Sequence, residues 1–178
     1  MKSISPVRNV ANILYHLTRG LTIIYWVIAA YVISITILAK SGVKGLPLSV
    51  TNETRFTIYY PFSKTPFFLL QDERTFLVTT FLVILFYGLF LVLLLGVFDT
   101  FRQKKLFTPK GVQRLTRFYL ANFFLPVIAI IILLLMGEPI NDLLIITFLH
   151  VVLGIFIYFM TAIFRQGLEL QIEQDLTF

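Results

Sequence analysis

The sequence predicts an all-α integral membrane protein, a bundle of four transmembrane helices with a small β-like extracytoplasmic cap. The mean hydropathy is +0.88 and only 13% of the residues are charged, which excludes a soluble globular domain and a disordered chain. With a rise of about 1.5 Å per residue, a helix of about 20 residues crosses a hydrocarbon layer of roughly 30 Å. Four stretches of this length contain no Asp, Glu, Lys or Arg: residues 20–39, 76–98, 118–136 and 143–164.

The segments before and after the first span are predicted to lie outside the membrane. Residues 1–19 have apolar side chains on one side of a helix and polar ones on another, which predicts a short interfacial helix. The outer loop, residues 40–75, contains β-prone runs separated by Gly and Pro. We therefore expect two or three short strands over the outer ends of the helices, at Leu48–Thr51, Phe56–Tyr60 and Phe67–Leu70.

The inner loop, residues 99–117, carries the signals that start a helix. Thr108 can serve as the N-cap with Pro109 at the first helical position. Phe107 can pack on Val112 as a hydrophobic staple, whereas Gly111 occupies the position where a capping box would have Glu or Gln. The sequence therefore predicts an amphipathic helix that starts at Thr108 and continues into the third span.

The tail, residues 165–178, is predicted to extend the fourth helix about two turns past the membrane, because Phe164, Leu168 and Ile172 recur every four residues. The tail has one cation and three anions, a net charge of −2, and the inner loop has six cations and one anion, a net charge of +5. We expect the two segments to pair and form one docking surface. Its predicted members are Lys104, Lys105, Thr108, Arg114, Arg117, Glu169, Glu173 and Asp175.

The distribution of charge predicts the orientation and the simplest partner. Ten Lys and Arg residues lie on the side of the termini and five on the other side, which places both termini in the cytoplasm. The cations of the inner loop attract anionic headgroups, at roughly 1 kcal/mol each. Direct binding to nucleic acid is not expected, because the basic face is short and would lie against the membrane.

Catalytic chemistry is not predicted. The chain has no Cys, its two histidines are far apart in sequence, and none of the common nucleotide, hydrolase or metalloprotease motifs is present. We therefore expect no enzyme, metal or cofactor. The polar residues inside the spans are His150, for which a structural role is favoured over a functional one, and Asn122, a helix–helix or interfacial hydrogen-bonding residue. The expected partners of His150 are Thr147, Thr79, Thr80 or Tyr87.

Two segments resemble the signature motifs of a known family. Residues 106–115 resemble the pattern F-T-P-E-N-V-x-R-L-R, and residues 164–178 resemble F-x-x-G-x-x-L-x-x-E-x-D-L-T-[IV]. In length and predicted spans the chain is similar to the small four-helix bacterial membrane proteins of domain of unknown function 2975. It has Lys110 and Gly111 where that family usually has Glu and Asn.

The resemblance implies a location in the bacterial cytoplasmic membrane. It also implies a partner, because the family's genes often lie beside one for a very small helix-turn-helix regulator. Our first hypothesis is a non-enzymatic docking or regulatory partner of such a transcription regulator. The alternative is a small transporter or channel subunit that acts as a homo-oligomer, although only the first span has a polar stripe, formed by Tyr31, Ser34 and Thr36.

Overall fold

The computed structural model describes residues 5–51, 55–71 and 74–176, and within them four long helices and three short strands follow one another along the chain. Each helix contains an apolar stretch long enough to cross a membrane, and only 11–28% of each stretch is buried within the protein. The remaining apolar surface is available to lipid, so the protein is a multi-pass membrane protein. The elements are α1 (Ser5–Lys40), β1 (Leu48–Thr51), β2 (Arg55–Tyr59), β3 (Pro66–Gln71), α2 (Arg74–Phe101), α3 (Pro109–Leu135) and α4 (Asn141–Leu176).

Helix α1 is longer than the sequence predicts, because the expected interfacial helix and the first span form one continuous helix of 36 residues. Gly20, at the predicted junction, stays helical. The Thr22 hydroxyl donates to the Thr18 carbonyl at 2.7 Å, so this buried side chain is satisfied within the helix. Helix α4 also has 36 residues and continues about three turns past Phe164, one turn more than expected.

The three predicted strands are present and form one antiparallel sheet in the order β1-β2-β3. Leu48 pairs with Ile58, and Phe56 pairs with Leu70. The observed bounds differ from the predicted ones by one residue at each end of β2 and β3. The fold class is thus confirmed as a mostly helical membrane protein with a small three-stranded sheet.

The chain packs as two compact units, Met1–Thr22 with Leu89–Phe178, and Ile23–Gly88. In the second unit the sheet covers the C-terminal half of α1, and a cluster of four residues is buried there: Val32, Ile35, Ile58 and Leu70. The Tyr31 hydroxyl donates to the Tyr59 carbonyl at 2.6 Å, which ties the helix to β2. The first unit contains α3, α4, the start of α1 and the end of α2, and its buried cluster is Val97, Leu115, Phe118 and Phe164.

Helices α3 and α4 form an antiparallel hairpin whose turn satisfies the end of α3. Gly137 has φ +77°, and its amide donates to the Leu134 carbonyl while the Glu138 amide donates to the Leu133 carbonyl. This is a Schellman motif with Gly at the left-handed position and Pro139 just after it. The hairpin brings the beginning of α3 beside the C-terminal part of α4.

Candidate functional site

The start of α3 has the predicted cap. Thr108 is extended, with φ −134° and ψ 150°, and its Oγ1 accepts a hydrogen bond from the Gly111 amide at 3.0 Å. Pro109 occupies the first turn, where its missing N–H leaves no intrahelical bond unmade. Phe107 and Val112, the two residues of the expected staple, both pack against the buried cluster of the first unit. The N-cap prediction is confirmed.

Gly111 has a packing role that the sequence does not reveal. A Cβ atom at this position would lie 2.7 Å from Thr100 Cγ2 and 3.1 Å from Thr108 Oγ1. Thr100 is fully buried near the end of α2, and its hydroxyl donates to the Gly96 carbonyl at 3.0 Å. The glycine therefore allows α3 to approach the end of α2 at the place where a capping-box side chain would otherwise stand.

The two signature motifs meet in a cluster that we call the aromatic junction: Phe101, Phe107, Phe164 and Gly167. A Cβ atom at Gly167 would lie 2.7 Å from Phe107 Cδ1 and Cε1, so the Phe107 ring rests on the bare backbone of α4. The Phe164 ring makes edge contacts with Phe107 and with Phe101, each with centroids 5.3 Å apart. The residue before the α3 cap is thereby fixed on the helix that carries the tail.

An ionic network lies beside the junction. The Arg102 Nε donates to Asp99 Oδ1 at 2.6 Å, and Arg114 Nη1 lies 2.5 Å from Asp99 Oδ2. The Asp99 side chain is only 13% exposed, which strengthens both contacts relative to a surface pair. The Arg102 guanidinium also lies 3.7 Å from the centroid of the Tyr15 ring, a cation–π contact. Three helices, α1, α2 and α3, are joined through these side chains.

Asp99 and Arg102 are not among the predicted site residues, although the sequence carries a signal for their contact. Asp99 is the lone acidic residue among the cations of the inner loop, and it precedes Arg102 by three positions, the spacing of one helical turn. Arg114, expected to pair with the tail, contacts Asp99. Pairing of the tail acids with other cations stays a prediction. The remaining charged members of the predicted docking surface are exposed: Lys104, Lys105, Arg117, Glu169, Glu173 and Asp175.

The two polar residues of the spans contact each other. His150 Nδ1 lies 2.7 Å from Asn122 Oδ1, and the Asn122 Nδ2 donates to the Phe118 carbonyl at 2.8 Å. Both side chains are buried. Asn122 was predicted to make a helix–helix or interfacial hydrogen bond, and it makes the helix–helix one. Its partner is His150, for which other partners were expected. Thr147 is one of those residues, and its buried hydroxyl oxygen has no hydrogen-bond partner in the described structure.

In residues 5–51, 55–71 and 74–176, no group of three or more His, Asp or Glu residues is placed to hold a metal ion.

The comparisons with other proteins agree with the motifs. The family described as "Protein of unknown function (DUF2975)" matches residues 49–178, more than two thirds of the chain, and both motifs fall inside the match. No curated protein matches the chain, and no solved structure does either.

Proposed function

This chain belongs to the DUF2975 family, and we propose that it is a non-enzymatic membrane protein that docks a small cytoplasmic helix-turn-helix regulator. The docking site in this proposal is the C-terminal part of α4, from Arg165 to Leu176, which we call the tail helix. The protein lies in the cytoplasmic membrane of a bacterium with both termini inside. The regulator is held at the membrane when it binds the tail helix.

The observation that carries the proposal is the apolar surface of the tail helix. The helix extends 12 residues past Phe164, about 18 Å. Beyond the last charge-free stretch, Leu170 is 60% exposed, Ile172 51% and Leu176 81%. Ile172 and Leu176 are four residues apart and share one face of the helix, and exposed apolar side chains on an ordered helix favour a partner that covers them.

The base of the tail helix is held rigidly. Gly167 lies under the Phe107 ring, and Phe164 is buried between Phe101 and Phe107. A helix fixed at its base is already ordered before binding, which lowers the entropic cost of association. In its described part, residues 164–176, the family motif thus combines a packed base with exposed side chains beyond it, the arrangement that a docking element needs.

Charge gives the proposal a mechanism. Glu169, Glu173 and Asp175 are exposed on the tail helix, and helix-turn-helix proteins carry basic faces where they contact DNA. Complementary charge would steer the regulator to the tail helix. Binding there competes with DNA binding, so the regulator is released only when the tail helix is covered or moved.

A truncation tests the proposal directly. A chain that ends after Leu168 keeps Gly167 and the aromatic junction but loses the exposed part of the tail helix. It should insert into membranes at the normal level and fail to retain the regulator in a crosslinking pull-down from native membranes. Reversing the tail charges with Glu169→Lys and Glu173→Lys should have the same effect, whereas Glu138→Lys, in the turn at the far end of α3, should have none. Equal retention by the truncated and full chains would refute the proposal.

The orientation has its own test, for which the absence of native Cys is an advantage. A membrane-impermeant thiol reagent applied to intact cells should label cysteines placed at Thr57 or Asn141. It should not label cysteines at Gln103 or Gln174 until the membrane is permeabilised. The reverse pattern would place the tail helix outside the cytoplasm and exclude a cytoplasmic partner.

The transport alternative has less support. In the polar stripe of α1, the Tyr31 hydroxyl donates to the Tyr59 carbonyl, and the Thr36 hydroxyl donates to the Val32 carbonyl. Hydroxyls engaged within the protein are poorly suited to line an ion pathway. Ion flux through liposomes that contain only this protein would favour the alternative.

A further inference from the structure

A polar cleft lies between the beginning of α1 and the end of α2, within the first unit. Its volume is about 320 Å³, and its walls are made by three cations and three amides: Arg8, Asn9, Asn12, Arg102, Gln103 and Lys104. We call it the basic cleft. Among the described residues, no acidic side chain lines it.

The ionic network beside the basic cleft orients one of its cations without cancelling the charge. Asp99 accepts from the Arg102 Nε, but the same carboxylate also contacts Arg114, so one negative charge is shared between two positive ones. The Tyr15 ring covers one face of the Arg102 guanidinium. Arg102 is therefore held in place at the wall of the cleft, and Arg8 and Lys104 add two exposed cations.

We infer that the basic cleft binds the phosphate group of a small ligand. Guanidinium groups match phosphate oxygens with pairs of N–H donors, and a lysine adds a mobile positive charge. The amides of Asn9, Asn12 and Gln103 supply neutral donors for further oxygens. The volume equals that of about ten water molecules and lies at the low end of the range for small-ligand sites. The inference does not depend on the proposed docking of a regulator.

The distance from the membrane favours a water-soluble phosphate over a lipid headgroup. Asn12 and Arg8 precede Gly20, the start of the charge-free stretch, by 8 and 12 residues, or about 12 and 18 Å along the helix. A tilt of about 40° shortens these distances only to about 9 and 14 Å. The headgroup layer is roughly 5–8 Å thick on each side, so the wall of the cleft formed by α1 lies beyond it. Arg102 on the opposite wall follows Phe98 by four residues, about 6 Å, and lies near the outer edge of that layer.

The test uses the full chain in nanodiscs of neutral phosphatidylcholine. Inorganic phosphate and pyrophosphate are titrated by calorimetry, with chloride at the same ionic strength as the reference. Losing one charge-assisted contact weakens binding about tenfold. The double variant Arg8→Gln, Lys104→Gln should therefore bind about a hundredfold more weakly. The matched control is Lys110→Gln, Arg117→Gln, which removes the same charge from exposed residues of α3 that do not line the cleft.

The possible results separate the two sources of phosphate. If soluble phosphate binds to the control variant but not to the cleft variant, the inference is supported and the ligand is a soluble phosphate. In a second outcome, soluble phosphate does not bind, but added phosphatidylglycerol stabilises the protein and only the cleft variant loses this stabilisation. That result supports a phosphate site that takes a lipid headgroup. The inference is overturned if neither phosphate source binds, or if the control variant weakens binding as much as the cleft variant.

Discussion

The close approach of Phe107 to Gly167 leads to a quantitative prediction for Gly167→Ala. The new Cβ would lie 2.7 Å from two atoms of the Phe107 ring and 2.8 Å from a third, so the ring must move by several tenths of an ångström or more. The ring cannot move freely, because it contacts Phe164 and packs against the buried cluster of the first unit. Overpacking of this kind costs about 1–3 kcal/mol of folding free energy.

The helix propensity of alanine acts in the opposite direction. Replacing Gly by Ala inside a helix gains up to about 1 kcal/mol, so the net loss at Gly167 should be about 0–2 kcal/mol. Gly20 provides the matched control, since it is also helical and a Cβ there would meet nothing within 4 Å. Gly20→Ala should show the propensity gain alone. The two variants should therefore differ by about 1–3 kcal/mol.

The free energy of unfolding can be measured in mixed micelles by titration with dodecyl sulfate and far-ultraviolet circular dichroism. A second readout isolates the contact: in a Phe107→Leu background, Gly167→Ala should lose most of its cost, with a coupling of about 0.5–3 kcal/mol. If Gly167→Ala is as stable as Gly20→Ala, or if Phe107→Leu leaves its effect unchanged, the junction does not hold the tail helix.

Three further predictions concern the ionic network, the helix cap and the sheet. Asp99→Asn should cost about 1–3 kcal/mol, because Arg102 and Arg114 lose a charged acceptor; a smaller loss in an Arg114→Gln background would confirm that the effect passes through this pair. Thr108→Ala should lower the local stability of the start of α3 by about 0.5–2 kcal/mol, and unchanged amide exchange there would contradict the cap. Phe62 has φ +61° and is fully exposed, so Phe62→Gly should stabilise the β2–β3 turn by about 1 kcal/mol. Phe62→Ala removes the ring but keeps the strain, and proteolysis of the turn should show no comparable gain for it.

The sequence predicted the features that depend on neighbours along the chain. The four apolar stretches, the three strands and the Thr108 cap are each set by residues within a few positions of one another, and the structure contains all of them. The contact between His150 and Asn122 joins residues 28 positions apart. It depends on how α3 and α4 align, and the pattern of apolar residues does not specify that alignment. For the same reason Arg114 was predicted to pair with the acidic residues of the tail, whereas in the structure it contacts Asp99.

Glycine shows the limit of local patterns most clearly. At Gly111 the sequence indicated an incomplete capping box, and at Gly167 it indicated only a match to a family motif. In the structure both glycines are sites of close approach, under Thr100 and Phe107 respectively. The packing role of a glycine depends on which side chain approaches its bare backbone. Neighbouring residues in the sequence do not specify that side chain, so the role is seen only in the structure.

The position of the tight packing in the first unit explains how a membrane protein of this size can offer a rigid surface outside the bilayer. Measured along α3 from Met136, a hydrocarbon layer of roughly 30 Å ends about 20 residues away, near Thr116. Leu115 and Phe118, both fully buried, lie at this boundary, and Thr108 and Phe107 lie beyond it. Lipid provides little hydrophobic drive for helices to associate, whereas burial from water does. The buried cluster of the first unit therefore forms where the helices leave the membrane, and through Phe164 it packs the base of the tail helix at that level.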